Sequence, residues 1–312
     1  MAVEPLLDTA FLRLLDRLSI IIRRAMAGDM QGERRSPHHG SSVEFADFRP
    51  YTPGDDFRRI DWNLYARIER IFVKLFVAEE ELTFRFLVDS SRSMDWGEPN
   101  KLQTARQLAG AFGYLALNGL DRVGAVAFGG GEEGKDKPSY HTMTPVRGKR
   151  GVWPFFSFLQ TISAAGGEGN GLFAACTRIA HTTRTPGPLF LCSDLFDPQW
   201  KESLQMLTST SRSAFDVVLI HILAPQEISP QIEGDARLID SEGGRTVEIT
   251  AGTNAISLYR ERLAAWRQEV ESFCHRRGIT YLFVNTATPI EDIVLSYVRH
   301  GGQREGYREY TE

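Results

Sequence analysis

The 312-residue chain predicts an α/β protein with a doubly wound, mainly parallel sheet and a charged N-terminal extension. Three observations carry that expectation. Short apolar runs bounded by turn residues alternate with segments whose apolar positions recur at three- and four-residue steps. Such alternation implies parallel strands covered by helices on both faces. Carboxylates and hydroxyls follow directly after two of the strand-type runs, where open α/β sheets bind their ligands.

The chain changes texture near residue 81. Residues 1–80 hold 12 Lys/Arg and 13 Asp/Glu, a charged but balanced extension. Within it, Phe11 to Ala27 has the pattern of an amphipathic helix, interrupted by Arg13, Asp16, Arg17, Arg23 and Arg24. From residue 81 to 300 the alternation is regular. Leu82 to Val88 reads as a buried strand. Lys101 to Leu117 carries Leu102, Ala105, Leu108, Ala109, Phe112, Leu115 and Ala116 at helical steps. Arg122 to Phe128 is a strand, Gly129 to Lys137 a polar loop, and Ser139 to Met143 a short edge strand. Val152 to Ile162 and Leu172 to His181 are helices. Pro188 to Cys192 and Phe215 to Ile222 are buried strands. Residues 236–249 form a hairpin decoration turning at Gly243-Gly244. Ser257 to Arg276 is a helix with a core stripe of Leu263, Trp266, Val270 and Phe273, and Ile279 to Val284 and Ile290 to Arg299 are the last strand and helix. Residues 301–312 form a tail.

Composition narrows the function. A net charge of −4 lacks the basic excess of a nucleic-acid footprint. A hydrophobic fraction of 42% supports a core and excludes global disorder. Cys176, Cys192 and Cys274 are too few and too scattered for a disulfide framework or a zinc site, and are expected as buried small hydrophobes in a reducing, cytoplasmic setting. No run approaches a membrane span, and no charge-free stretch suits a secretory leader. The arginine-bearing first helix leaves peripheral membrane contact open.

Two strand ends carry the chemistry. Asp89-Ser90-Ser91-Arg92-Ser93 follows the first strand of the regular part, and Ser193-Asp194 follows the strand Pro188 to Cys192. Hard oxygen donors of this kind suit a Mg²⁺ that keeps several waters. The same residues also cap helices, so spacing alone leaves both readings open.

Phe84 to Met94 resembles the opening of a von Willebrand factor A-type domain, whose D-x-S-x-S loop begins a metal-ion-dependent adhesion site. The helix from Lys101, the strand Arg122 to Phe128 and the pair Ser193-Asp194 resemble that family's next elements. Upstream, the block Arg49 to Arg67, with Gly40 and Glu44-Phe45 before it, resembles the signature of the bacterial "domain of unknown function fifty-eight" proteins, and this likeness runs from about Leu12 to Val298. The resemblance implies a von Willebrand factor A-like fold with Ser91 and Ser93 as direct metal ligands. Asp89 and Asp194 would act through coordinated waters, and one position would stay open for a partner's carboxylate. It also implies a MoxR-type AAA+ ATPase as partner, in a chaperone-like assembly.

One departure stands out. The family's loop threonine has no counterpart in residues 165–171, where Glu168 and Asn170 are the possible replacement ligands. The block Arg49 to Arg67 itself reads as architecture, with Pro53-Gly54 a turn, Trp62 entering the core and its Asp and Arg residues paired, or else as a docking surface. Gly129 to Asp136 satisfies G-x-x-x-x-G-K, yet Asp136 stands where the Mg²⁺-holding hydroxyl belongs, and Glu132 and Glu133 repel phosphate. The expectation is a non-enzymatic, Mg²⁺-dependent protein–protein interaction module. The alternatives are a Mg²⁺-dependent hydrolase using Asp89 and Asp194, and a structural scaffold with a degenerate metal site.

Overall fold

The computed structural model describes residues 5–29, 43–78, 82–131, 138–164, 171–183, 187–209, 215–231, 234–239, 246–251 and 253–299. In chain order the elements are α1 (Thr9–Asp29), β1 (Val43–Pro50), α2 (Trp62–Ile68), β2 (Phe72–Ala78), β3 (Thr83–Asp89), α3 (Lys101–Asn118), β4 (Arg122–Gly131), β5 (Pro138–Arg147), α4 (Val152–Thr161), α5 (Gly171–Thr182), β6 (Pro188–Ser193), α6 (Trp200–Thr208), β7 (Asp216–Leu223), α7 (Pro225–Ile228), β8 (Gly234–Ile239), β9 (Thr246–Ala251), α8 (Thr253–Arg276), β10 (Thr280–Asn285) and α9 (Ile290–Arg299). They form two compact units, residues 1–23 with 82–312, and residues 24–81.

The larger unit is an α/β fold on a six-stranded sheet of order β10-β7-β6-β3-β4-β5. Its pairings are parallel except the edge pair β4–β5. Successive side chains of a strand point to opposite faces, and the core divides accordingly. Phe86 and Val88 of β3, Phe190 and Cys192 of β6, and Val218, Ile220 and Ile222 of β7 enter one apolar cluster with Leu15 of α1, Leu108 of α3, Leu159 of α4 and Val294 of α9. Leu87, Leu189, Leu191, Val217 and Leu219 enter the other, with Cys176 of α5, Leu204 of α6 and Val270 of α8. Strands buried on both faces read as unbroken apolar runs, which is why these were legible in the sequence. Cys176, Cys192 and Cys274 are all free and buried, as expected of small hydrophobes.

Several details go beyond the sequence-level expectation. Gly129–Gly131 belong to β4, which pairs with β5 as far as Gly131–Pro138, so among the described residues the next element is a strand and not a helix; positions 132–137 are outside the described residues. Periodicity assigned no helix to Trp200–Thr208, although Trp200, Leu204 and Leu207 sit at i, i+4 and i+7 and are buried. The strands β8 and β9 form a separate antiparallel pair, and Gly243-Gly244 lies outside the described residues. The face of α1 bearing Phe11, Leu15 and Leu18 is buried in the protein's own core, and Asp16 accepts hydrogen bonds from Tyr114 and Asn118 of α3.

On α3, Gly113 permits a close approach. A Cβ there would stand 2.2 Å from the ring of Phe155, itself fully buried. Gly113→Ala is expected to destabilise the protein by about 1–3 kcal/mol through overpacking, despite alanine's ~1 kcal/mol helix advantage. An unchanged urea midpoint would contradict this packing.

The smaller unit is built on the antiparallel pair β1–β2. Asp61 caps α2 by accepting from Asn63 and Leu64 N–H. Arg49 pairs with Asp55 at 2.7 Å, and Gly54 takes φ +107° in the expected turn. Trp62 corrects the architectural reading, since the residue is 60% exposed and does not enter a core. Phe57, Tyr65 and Ile68 are exposed with it. Trp62 is the first residue of a helix only seven residues long, in which no residue is buried.

Candidate functional site

In this strand order the chain leaves β3 toward β4 and β5, then returns to build β6, β7 and β10 on the other side. The order therefore reverses between β3 and β6, and ligands of open α/β sheets bind outside the carboxyl ends at such a point. Asp89 closes β3, and Ser193-Asp194 closes β6. The two motifs, a hundred residues apart in the chain, meet because their strands are parallel neighbours.

Hydrogen bonds set the local geometry. Asp89 Oδ1 accepts from Ser91 N–H at 2.9 Å, and Asp89 Oδ2 accepts from the Ser193 hydroxyl at 2.6 Å. Ser193 Oγ in turn accepts from Leu195 N–H at 3.0 Å. Ser90 ties the loop to β4 through two bonds to the Phe128 carbonyl. Met94, fully buried, anchors the single 3-10 turn Arg92–Met94. Ser91 Oγ and Ser93 Oγ then lie side by side, 3.0 Å apart. Leu195 takes φ +56°, a left-handed conformation a leucine adopts only where its surroundings impose it.

The sequence reading missed two residues here, Lys101 and Glu227. Lys101, the first residue of α3, is fully buried. Its ammonium donates to Asp194 Oδ2 at 2.8 Å and to Glu227 Oε1 at 2.5 Å, with the Phe196 ring centroid 5.1 Å away. Glu227 Oε2 accepts from Ala224 N–H at 2.8 Å. A signal existed for Lys101, because a cation in a helix's first turn opposes the macrodipole and calls for a carboxylate partner. Glu227 had a weaker one, a Pro-x-Glu directly after a strand.

Burial and the neighbouring Asp194 carboxylate push the Asp89 pKa up to about 7. Burial raises that of Glu227, against the lowering pull of Lys101. Burial and the facing Arg267 hold His221 down at about 3, so this fully buried ring stays neutral, with Nδ1 bonded to the Tyr281 hydroxyl at 2.9 Å.

The expected metal set converges as far as Asp89, Ser91, Ser93 and Asp194. Glu168 and Asn170 lie outside the described residues. Among the described residues no three His, Cys, Asp or Glu side chains group as metal ligands, so from these residues a cation here requires hydroxyls and water-linked carboxylates. The donors fit that requirement. Adjacent ligands on an octahedral Mg²⁺ at 2.0–2.1 Å are separated by about 3.0 Å, the spacing of the two serine oxygens. Each bonded carboxylate oxygen also keeps a second lone pair for a coordinated water. No helix among the described residues is long and apolar enough to cross a membrane.

Comparison with known proteins gives the family and no activity. Uncharacterized protein Rv1480 of Mycobacterium tuberculosis and uncharacterized protein Mb1516 of Mycobacterium bovis are each 26% identical over 279 residues, covering 87% of this chain and 84% of theirs. Among solved structures, the pilus adhesin SpaC from Lactobacillus rhamnosus GG matches at TM-score 0.31 and 10% identity over 72% of this chain and 30% of that one, too distant to carry an argument. The family model described as "Protein of unknown function DUF58" matches residues 47–270. That span is well over half of the chain and contains Asp89, Ser91, Ser93, Lys101, Asp194 and Glu227; this chain is a member of the DUF58 family.

Proposed function

We propose that the six-stranded unit is a von Willebrand factor A-like domain acting as a non-enzymatic, Mg²⁺-dependent protein–protein interaction module. The observation that carries this reading is the Ser91–Ser93 pair, two hydroxyls 3.0 Å apart beside a buried carboxylate, Asp89, whose ionisation burial and the neighbouring Asp194 oppose. Ser91 and Ser93 would hold the ion directly, while Asp89 and Asp194 orient its waters. Bound there, Mg²⁺ would supply a coordination position for a carboxylate of the partner. Trp96 and Phe196, both exposed, sit beside the site. The Trp96 carbonyl accepts from Lys101 N–H, and the Phe196 ring faces the Lys101 ammonium. These aromatics suit the apolar rim of a partner contact. The partner implied by the family resemblance is a MoxR-type AAA+ ATPase.

The test is calorimetric titration of Mg²⁺ and Mn²⁺ into metal-free protein, with Ser91→Ala and Asp89→Ala as controls, followed by capture of that ATPase with and without chelator. Saturable binding lost in both controls, with chelator-sensitive capture, is expected. Capture indifferent to chelator and to both substitutions would leave a scaffold with a degenerate site.

One observation favours a second reading. A carboxyl titrating near 7, as Asp89 does, is poised for general acid–base work, which suits a Mg²⁺-dependent hydrolase using Asp89 and Asp194. Against it, the Ser91 hydroxyl is engaged by Ser93 Oγ as well as by Asp89. Turnover in a phosphatase and ATPase screen, abolished by Asp89→Ala, would decide for the enzyme.

A further inference from the structure

Lys101 has no role in the metal reading, yet its placement needs a cause. It is a fully buried ammonium at the positive end of an 18-residue helix, where both the macrodipole and desolvation disfavour it. Two carboxylates from different strand ends converge on it, Asp194 after β6 and Glu227 after β7.

Glu227 is held from several directions. Its Oε2 accepts from Ala224 N–H, and its carbonyl accepts from the Tyr259 hydroxyl. The adjacent Gln226 exchanges two hydrogen bonds with the backbone of Glu98. The carboxylate is thus fixed against Lys101. Asp194 links the groups, since it pairs with Lys101 on one oxygen and directly follows Ser193, whose hydroxyl donates to Asp89.

Three carboxylates, Asp89, Asp194 and Glu227, stand against one ammonium. When all are ionised, two negative charges are left over, the charge one divalent ion neutralises.

We infer that Lys101 is a built-in cation that sets the affinity of this site for divalent ions, and that Glu227, through its pairing with Lys101 and not as a ligand, supplies a third carboxylate charge. The inference rests on the Mg²⁺ reading above. Without Lys101 the cluster would carry three uncompensated charges and hold a divalent ion tightly. With Lys101 present, the ion is held loosely enough that a partner's carboxylate contributes to its retention.

The test is a charge series, read by calorimetric titration of Mg²⁺ and Mn²⁺, with thermal melts to confirm folding. Lys101→Met, which adds one net negative charge, is expected to tighten binding at least about tenfold. Glu227→Gln, which removes one, is expected to weaken it at least about tenfold. The double variant restores the original net charge and should return to within about threefold of wild type, and Lys101→Arg should do the same. A purely structural lysine predicts a different pattern, in which both single variants weaken binding and the double is worst. If Lys101→Met does not fold, the fall in Glu227→Gln and the return in the double variant decide the matter. Equal affinities across the series, or weaker binding by Lys101→Met, would overturn the inference while leaving the metal site standing. A wild-type protein that binds neither ion would sink both readings.

Discussion

Asp194→Ala is expected to destabilise the protein by about 3 kcal/mol. Breaking a buried ion pair costs ~3–5 kcal/mol because the remaining charge is stranded; here Glu227 continues to pair with Lys101, which places the loss at the lower end. For a unit of this size that corresponds to a fall in Tm of roughly 6–12 °C. Asp194→Asn keeps an acceptor for the ammonium and should fall between alanine and wild type. Thermal melts in chelator isolate the effect from metal binding. A change in Tm within a degree or two for Asp194→Ala would mean that the 2.8 Å contact contributes nothing net.

Asp89→Asn is expected to act in the opposite direction, although the two carboxylates share one site. The pKa of Asp89 is pushed up to about 7 in the folded protein, against 3.8 for the free side chain. The folded state therefore holds its proton through that window while the unfolded chain releases it. The stability associated with this proton is fully present below about pH 3.8 and is lost as pH rises toward 7. Above pH 7 the folded protein carries a buried, poorly compensated carboxylate. The neutral, similarly shaped asparagine removes this penalty, and the Ser193 hydroxyl can turn to accept from its amide. Metal-free Asp89→Asn should melt about 5 °C above wild type at pH 8, with the gap closing near pH 4, and Mg²⁺ should no longer stabilise it. Lower stability at pH 8, or a gap independent of pH, would count against this account. The combination of higher stability with lost binding is expected where a site keeps an uncompensated charge for its ligand.

The two carboxylates differ through a contact that local sequence pattern could not show. Lys101 lies 93 residues from Asp194 and 126 from Glu227. Nothing local in Lys-Leu-Gln or Pro-Gln-Glu selects those partners. The strands behaved otherwise, because residues such as Phe86, Leu87 and Val88 are apolar at consecutive positions whichever face each one takes. Placing Asp89 and Ser193-Asp194 at strand ends followed from the same pattern, and the parallel pairing of β3 with β6 then brought them together. Trp62 shows the limit of composition as a guide. A large aromatic in a charged block suggested a core position, but it is exposed on a seven-residue helix with no buried residue.

Side-chain patterning alone establishes the alternation of strands and helices, the two-sided burial of the central strands and the strand ends that carry oxygen donors. These depend on side-chain period and turn chemistry within a dozen residues. Folding in three dimensions buries a lysine at a helix start against two carboxylates and brings Phe11 and Leu15 of the N-terminal helix into the core of the larger unit. The net charge left at the site follows from the first of these. The reason is physical: hydrophobic patterning is read locally, whereas the energy of a buried charge depends on which distant groups the fold brings within about 3 Å.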